Sequence, residues 1–390
     1  MSSSAGSGDR ATPAVRLGRT TSAVRQHNLA ALLERLHRGG PASRSELGAR
    51  TGISRSTVAD LVQELVARGL ATEAGSSTRS GPGRPSPVVS VRPEGAVVLA
   101  VELGVDSATV AAVGLGGVVI GESQEDLAPV RPTPAATLDL VARSVQSLAG
   151  DLPEGAVAGV GVAVPGLVRR SDGFVHLAPN LGWRDVPVGA LLAERLAHLG
   201  HPGLDVLVAN EADLGALGEH RRGAGQGHDN LVFVSGGIGI GAGLILDGRP
   251  MLGAAGYAGE AGHMLVNQAG RACSCGKVGC WETEAGEDAL LGGAGGTTVD
   301  PAAAVWLGVG VGNLVNLLNP DVVVLGGCYA PVFDEIAPHV AEGMASRALT
   351  QNGAAAHVVP SALGRAAQLH GAAELCLADT LANPTLRRRS

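Results

Sequence analysis

Four residues within a span of eighteen constrain this chain more than any other feature. His263 precedes Cys273-Ser274-Cys275 by ten residues, and Cys280 follows after Gly276-Lys277-Val278-Gly279. One imidazole and three thiolates make a closed Cys3His set, the tetrahedral arrangement that holds structural Zn2+, and the two glycines let the chain turn tightly around an ion. No coordination position is left for an activated water, so the spacing points to a scaffold rather than a catalyst. The bland alternative is three reduced, buried cysteines. Five cysteines is an odd number, which fits a reducing, cytoplasmic setting better than a disulfide framework. Cys328 and Cys376 read as small core residues.

The 390 residues, 45% hydrophobic and 17% charged, have the composition of a soluble globular protein of two or three domains. The uncharged run 155–168 is too short to span a bilayer and carries Pro165, so no membrane helix is expected. Residues 1–20 are rich in Ser, Gly and Ala and lack the apolar centre of a secretory signal, so they read as a disordered tail and export is not expected. Three Trp, two Tyr and three Phe are too few for a platform that stacks unpaired bases on several rings. Charge is uneven along the chain. Residues 1–90 hold twelve Arg against six acids, a net of +6, and since the whole chain is at −7 the other 300 residues carry −13. A basic head on an acidic body is the signature of one segment that meets phosphates and another that does not.

The head, 21–91, has internal order. Leu29, Leu32, Leu33 and Leu36 recur at helical spacing up to Gly39-Gly40-Pro41. Ser43 to Glu46 forms a capping box that opens a second helix, which Gly52 ends. Ser54 then caps a third helix carrying Val58, Leu61, Val62 and Leu65. Two short helices joined by a Gly-containing turn make a helix-turn-helix, whose second helix presents its first residues, here Arg55, Ser56 and Thr57, to base edges in the major groove. Residues 71–91, with Gly81-Pro82-Gly83-Arg84-Pro85 at their centre, read as a wing whose Arg84 suits a narrow minor groove, or as a plain linker.

From Val91 onward, β-branched runs alternate with Ala/Leu-rich windows, the rhythm of an α/β protein. Strands are expected at 97–102, 109–113, 118–122, 157–164, 206–208, 231–235, 242–246 and 322–325. Helices are expected at 137–148, 188–199, 212–220, 302–318, 332–348 and 366–382. Glu102-Leu103-Gly104-Val105-Asp106-Ser107 reads as a hairpin able to offer backbone N–H groups to a phosphate. Gly237 to Ala242 fits a dinucleotide-binding spacing, but the chain runs on into Leu244-Ile245-Leu246 and the hairpin turn Asp247-Gly248 instead of opening a helix. It is a glycine turn between two strands. Asn180, the pair Asn210-Glu211, Glu260 and His263 offer the directional hydrogen bonds that sugar hydroxyls need, although each alone suits a loop cap or turn.

Together these residues resemble the ROK family of repressors, open reading frames and kinases. The carriers are Ser43-Arg44 through Thr57-Val58, Gly83-Arg84-Pro85, Pro165-Gly166, Ala178 to Trp183, Gly259 to His263, Cys273 to Glu282, and Asn319-Pro320-Asp321 leading to Gly326-Gly327. The resemblance implies an actin-like (ribonuclease H-like), two-lobed α/β body over 92–386, fused to an N-terminal winged helix-turn-helix. One lobe would hold 92–210 plus the C-terminal helix, the other 211–362 with the zinc site. It places Asn180, Asn210, Glu211, Glu260, His263 and Glu282 at a sugar site, with His263 serving both metal and sugar. It places Arg44, Ser54, Arg55, Ser56, Thr57 and Arg84 towards DNA, and His263, Cys273, Cys275 and Cys280 on zinc. The family's kinases carry Asp where this chain has Glu102 and Glu211, and usually Thr in the turn that reads here Ser235-Gly236-Gly237-Ile238-Gly239. A methylene of misplacement costs phosphoryl transfer far more than binding. The expectation is therefore a sugar-responsive transcriptional regulator, a repressor in sign, acting as a homodimer or homotetramer on double-stranded operator DNA. An ATP-dependent sugar kinase is the alternative, and control by a protein partner a third reading.

Overall fold

In a computed structural model, residues 21–74, 87–127, 132–293 and 296–385 are described. The expected tail 1–20, the wing tip and Arg84 lie outside them.

The head is built as its capping signals imply. α1 (Thr21–Gly39) buries Leu29, Leu32, Leu33 and Leu36. β1 (Ala42–Ser43) leads into α2 (Arg44–Thr51), where Ser43 Oγ accepts from Glu46 N at 3.2 Å and Glu46 Oε2 accepts from Ser43 N at 2.8 Å. Gly52, at φ +71°, closes the helix in a conformation that costs other residues strain. α3 (Arg55–Ala67), capped by Ser54, turns Val58, Leu61, Val62 and Leu65 into the core shared with α1. β2 (Ala71–Ala74) and β3 (Val88–Val91) complete a small antiparallel sheet in the order β1-β3-β2.

The body repeats one plan twice. β4 (Val97–Leu103), β5 (Ser107–Gly114) and β6 (Val119–Asp126) form an antiparallel meander. After α4 (Pro134–Gly150), β7 (Val157–Val164) pairs parallel with β4. A small sheet of β8 (Leu167–Arg169), β9 (Phe174–Ala178) and β10 (Trp183–Pro187) precedes α5 (Val188–His198), and β11 (Val206–Asn210) closes the first sheet in the order β11-β7-β4-β5-β6. α6 (Glu211–Arg222) leads to the second sheet, whose meander is β12 (Leu231–Gly236), β13 (Ile240–Leu246) and β14 (Arg249–Pro250). α7 (Trp281–Ala285), α8 (Glu287–Leu291) and α9 (Pro301–Leu318) follow, then β15 (Val322–Gly327), α10 (Phe333–Ala345), α11 (Thr350–Ala355) and β16 (His357–Pro360), with β12, β15 and β16 parallel. α12 (Ala367–Ala382) returns to pack on β4 and β7 of the first sheet and on α6, which itself lies on β12 and β13. α6 and α12 are thus the seam between the lobes. Gly218 and Gly371 let them close, because a Cβ at either would stand 2.1 Å from Ala367 O or 1.8 Å from Leu214 O.

The sequence reading takes 155–168 as the longest uncharged run, and that is corrected by α9. The uncharged run from Pro301 to Pro320 is longer than 155–168, and it forms α9, long and apolar enough by length and composition to cross a membrane. Its residues Ala303, Ala304, Leu307, Val311 and Val315 are buried in the second lobe's core, so the apolar surface of this helix is spent largely on packing.

Candidate functional site

The metal set converges. One donor atom each from His263, Cys273, Cys275 and Cys280 lies within 4.8 Å of all the others. Cys275 and Cys280 sulfurs stand 3.7 Å apart, and Cys273 Sγ stands 3.7 Å from His263 Nδ1. Thiolates at about 2.3 Å from a tetrahedral zinc lie about 3.8 Å from each other, so the donor types and spacings fit this ion. The loop is held by backbone pairing: Cys273 N donates to Lys277 O at 2.8 Å, and Leu265 bridges to Cys280. Gly279 sits at φ +72°, where a Cβ would meet Asn267 O at 1.6 Å, so no other residue fits that turn. Behind it, fully buried Trp281 donates Nε1–H to Trp306 O at 3.1 Å and anchors the loop on α9.

A second set gathers around the lobe seam. Asn210 caps α6, its Oδ1 accepting from Ala212 N at 2.7 Å and Asp213 N at 3.3 Å while its Nδ2 donates to Gly166 O at 2.9 Å. That side chain is largely occupied in capping α6 and tying its start to Gly166. Burial pushes the Glu211 carboxyl up to about 7, and burial, reinforced by the charge of Glu211 and opposed by Arg365, does the same to Glu102 at the end of β4. Asp213 is likewise raised to about 7 by burial, with Glu260 adding and Arg170 opposing. Burial also raises Glu260, which His263 opposes and Glu282 reinforces. Glu282, in the first turn of α7, leans towards the metal set: its Oε1 accepts from Cys273 Sγ at 2.9 Å and lies 3.4 Å from His263 Nδ1. Its other oxygen borders the second glycine turn, 2.7 Å from where a Cβ on Gly239 would be. Asn180 lies in a short turn over Pro179–Leu181, and a narrow cleft of about 10 Å3 separates its neighbours Leu181 and Trp183 from Leu103 and Gly104 of the first hairpin.

Of the sequence-derived sugar residues, Glu211 acts on Glu102, and Glu260, His263 and Glu282 gather with Asp213 beside them, whereas Asn210 is engaged as the α6 cap and Asn180 lies in the Pro179–Leu181 turn beside the narrow cleft. Neither of two roomier cavities, of about 390 and 450 Å3, is lined by them. Sequence reasoning missed Asp213, Arg170 and Arg365. Asp213 looked like an ordinary acidic residue in a first helical turn, and the two arginines come from distant segments that only folding unites. Both glycine segments are strand-to-strand turns, with Gly104 N donating to Ser107 O at 2.8 Å and Gly237 N to Gly239 O at 2.9 Å.

On the head, Arg55 and Ser56 are exposed at the start of α3, and Arg55 makes no ion pair among the described residues. Ser54 is a cap whose hydroxyl also meets Ser56 and Thr57 at 3.2 and 2.9 Å. Arg44, expected to face DNA, has its guanidinium on Glu73 of β2 at 2.7 and 2.6 Å.

Head and body are joined by a buried polar clasp. His37, near the end of α1, takes a hydrogen bond on Nδ1 from Gly116 N at 2.9 Å, which leaves Nε2 to donate to Glu374 of α12 at 3.0 Å. Arg222, at the end of α6, donates to Glu374 at 2.7 Å and to the His37 carbonyl at 2.7 Å, and also touches the His37 ring. Burial alone would raise the Glu374 carboxyl; His37 and Arg222 override it and hold it down at about 2.

A winged helix-turn-helix clasped to a two-lobed α/β body with a Cys3His loop defines the class: the chain belongs to the ROK family, whose pattern matches residues 98–299, while the MarR family pattern matches 29–79. It is similar to the xylose repressor of Bacillus subtilis, 29% identical over 91% of this chain and 96% of that protein. The crystal structure of a ROK family transcriptional regulator, a homolog of the E. coli MLC protein, superposes with a TM-score of 0.72 at 26% identity, covering 92% of this chain and 98% of that one. A ROK family glucokinase from Streptomyces griseus, in complex with glucose and AMPPNP, superposes on 72% of this chain and 98% of its own with a TM-score of 0.60 at 27% identity.

Proposed function

We propose that this chain is a sugar-responsive transcriptional repressor that binds operator DNA through α3 and its wing, senses a neutral sugar at the lobe seam, and does not phosphorylate it. The observation that carries the reading is the course of α6. The helix begins at Glu211 and Asp213 in the carboxyl cluster and ends at Arg222 in the clasp on the head. Twelve residues of α-helix make a rod of about 18 Å. A ligand that draws the lobes together moves one end of that rod and the grip on α1 at the other. Such coupling requires that the sugar prefer one of the two arrangements. The similarity to the xylose repressor over both head and body supports the same reading.

Carboxyls that titrate near neutrality both donate and accept hydrogen bonds, which suits hydroxyls. The same carboxyls repel a phosphate, so a neutral sugar is the fitting ligand. His263, Cys273, Cys275 and Cys280 would hold Zn2+, which would stiffen the loop carrying His263 and Glu282 and supply no reaction of its own. We place the protein in the cytoplasm as a homodimer or homotetramer on a pseudo-palindromic site, since two heads reach half-sites a whole number of turns apart.

The kinase reading has two observations in its favour, the similarity to the glucokinase and the carboxyl of Glu211. Glu211, buried and titrating at about 7, has the proton affinity of a general base. A thermal-shift screen of hexoses, pentoses and N-acetyl sugars, followed by a coupled ADP-release assay on each binder, separates the two. Binding without turnover is the expected result; turnover at about 1 per second or faster would make the chain a kinase.

A further inference from the structure

A cavity of about 390 Å3 opens where the end of α1 meets the end of α6, and its wall includes Arg38, His220, Arg221, His228 and Asp229. Its chemistry is the reverse of the carboxyl cluster. One guanidinium comes from the head and one from the body. Arg38 is tied to Glu34 of its own helix at 2.6 Å. Arg221 is partly buried, and no carboxylate among the described residues lies within ion-pair distance of it. Burial first, and the charge of Arg38 second, hold its pKa below the usual arginine range against the opposing charges of Glu374 and Glu34. His220 is neutral, lowered to about 4 by burial with help from Arg221 and Arg38, and its Nδ1 is shut away from solvent without a hydrogen-bond partner. Asp229 is the one acid among the lining residues. Folding has thus brought two like charges together across a domain junction, a repulsion that Glu34 and Glu374 oppose and that an anion held between the two guanidiniums would relieve further.

We propose that this cavity is a second ligand site, separate from the sugar site, that takes a small phosphate-bearing anion between Arg38 of the head and Arg221 of the body. The planar donor fork of arginine matches phosphate oxygens, and the volume is that of a small-metabolite site. Because the two guanidiniums sit on α1 and α6, the anion turns a repulsion across the junction into an attraction. Its occupancy tightens the head on the body independently of any sugar.

Isothermal titration of the full chain with inorganic phosphate and with glycerol 3-phosphate, at fixed ionic strength, tests this beside Arg221→Gln and Arg38→Gln. Saturable binding is expected, weakened at least tenfold in each variant, with the unliganded Arg221→Gln protein melting no lower than the parent because a repulsion is gone. Should Arg221→Gln fail to fold, Arg38→Gln, at the more exposed end of α1, carries the comparison. Absence of saturable binding for both probes, or equal affinity in the variants, overturns the proposal. The salt dependence of DNA binding separates a small anion from the DNA backbone as the source of phosphate. The slope is expected to be the same for Arg221→Gln and parent; a slope reduced by about one phosphate contact would assign the pair to DNA and overturn the small-ligand site.

Discussion

In the proposed function, sequence-specific reading rests on Arg55, since Arg44 is held by Glu73 and Ser54 is engaged as a cap. Arg55→Ala is expected to relax discrimination between operator and random DNA by about 1–3 kcal/mol, measured by fluorescence anisotropy on both. Equal weakening on the two would reduce Arg55 to a phosphate contact. Cys275→Ser removes one of four converging donors, so metal-to-protein stoichiometry by atomic emission should fall and the sugar response should go with it. Glu211 gives a pH test. An acid whose folded pKa lies near 7, above its ordinary 4.5, favours folding at low pH and loses that contribution as pH rises through 7. Glu211→Gln mimics the protonated form, so it should be more stable than the parent at pH 8, by about 3 kcal/mol, with the gain shrinking as pH falls from 7 and gone below the ordinary 4.5. The opposite order at pH 8 would mean the carboxylate is welcomed rather than desolvated. At this scale the sequence was most legible where chemistry is local: the Cys3His spacing and both serine caps are readable from a few neighbouring residues. Asp213, Arg170 and Arg365 were not, because what makes them notable is which distant carboxyls they face.

Elements with a repeating pattern were legible, and short ones were not. All eight expected strands and all six expected helices exist, since each is long enough for apolar periodicity to show. The small sheet β8-β9-β10, the one-turn helices α7 and α8, and the edge strand β16 were absent from the sequence reading. Three to five residues cannot display a period, and their pairing is set by tertiary neighbours. The clasp between α1, α6 and α12 was equally hidden, because His37, Arg222 and Glu374 are separated by up to 337 residues. Glu374→Gln should be costly. Breaking a buried, hydrogen-bonded charge pair costs about 3–5 kcal/mol, so a clear drop in melting temperature is expected, together with a sugar response that no longer reaches the head. A variant that melts like the parent and still responds to sugar would show that the coupling runs elsewhere.

Across the whole molecule, charge and topology tell one story. A basic head joins an acidic body whose two sheets share a plan of antiparallel meander followed by parallel strands, with α6 and α12 between them. Lobes that meet along two helices can shift about that seam, and the head is clasped to the end of α6 and the middle of α12. The most direct test takes a preferred DNA sequence, selected from a random pool with the full-length protein, and tracks its binding by fluorescence anisotropy as each sugar that stabilises the protein is added. At least one such sugar should weaken binding tenfold or more in the parent, leaving Glu374→Gln unaffected. If every sugar that binds leaves DNA affinity unchanged, the seam does not carry a signal to the head, and the chain is not a sugar-responsive repressor.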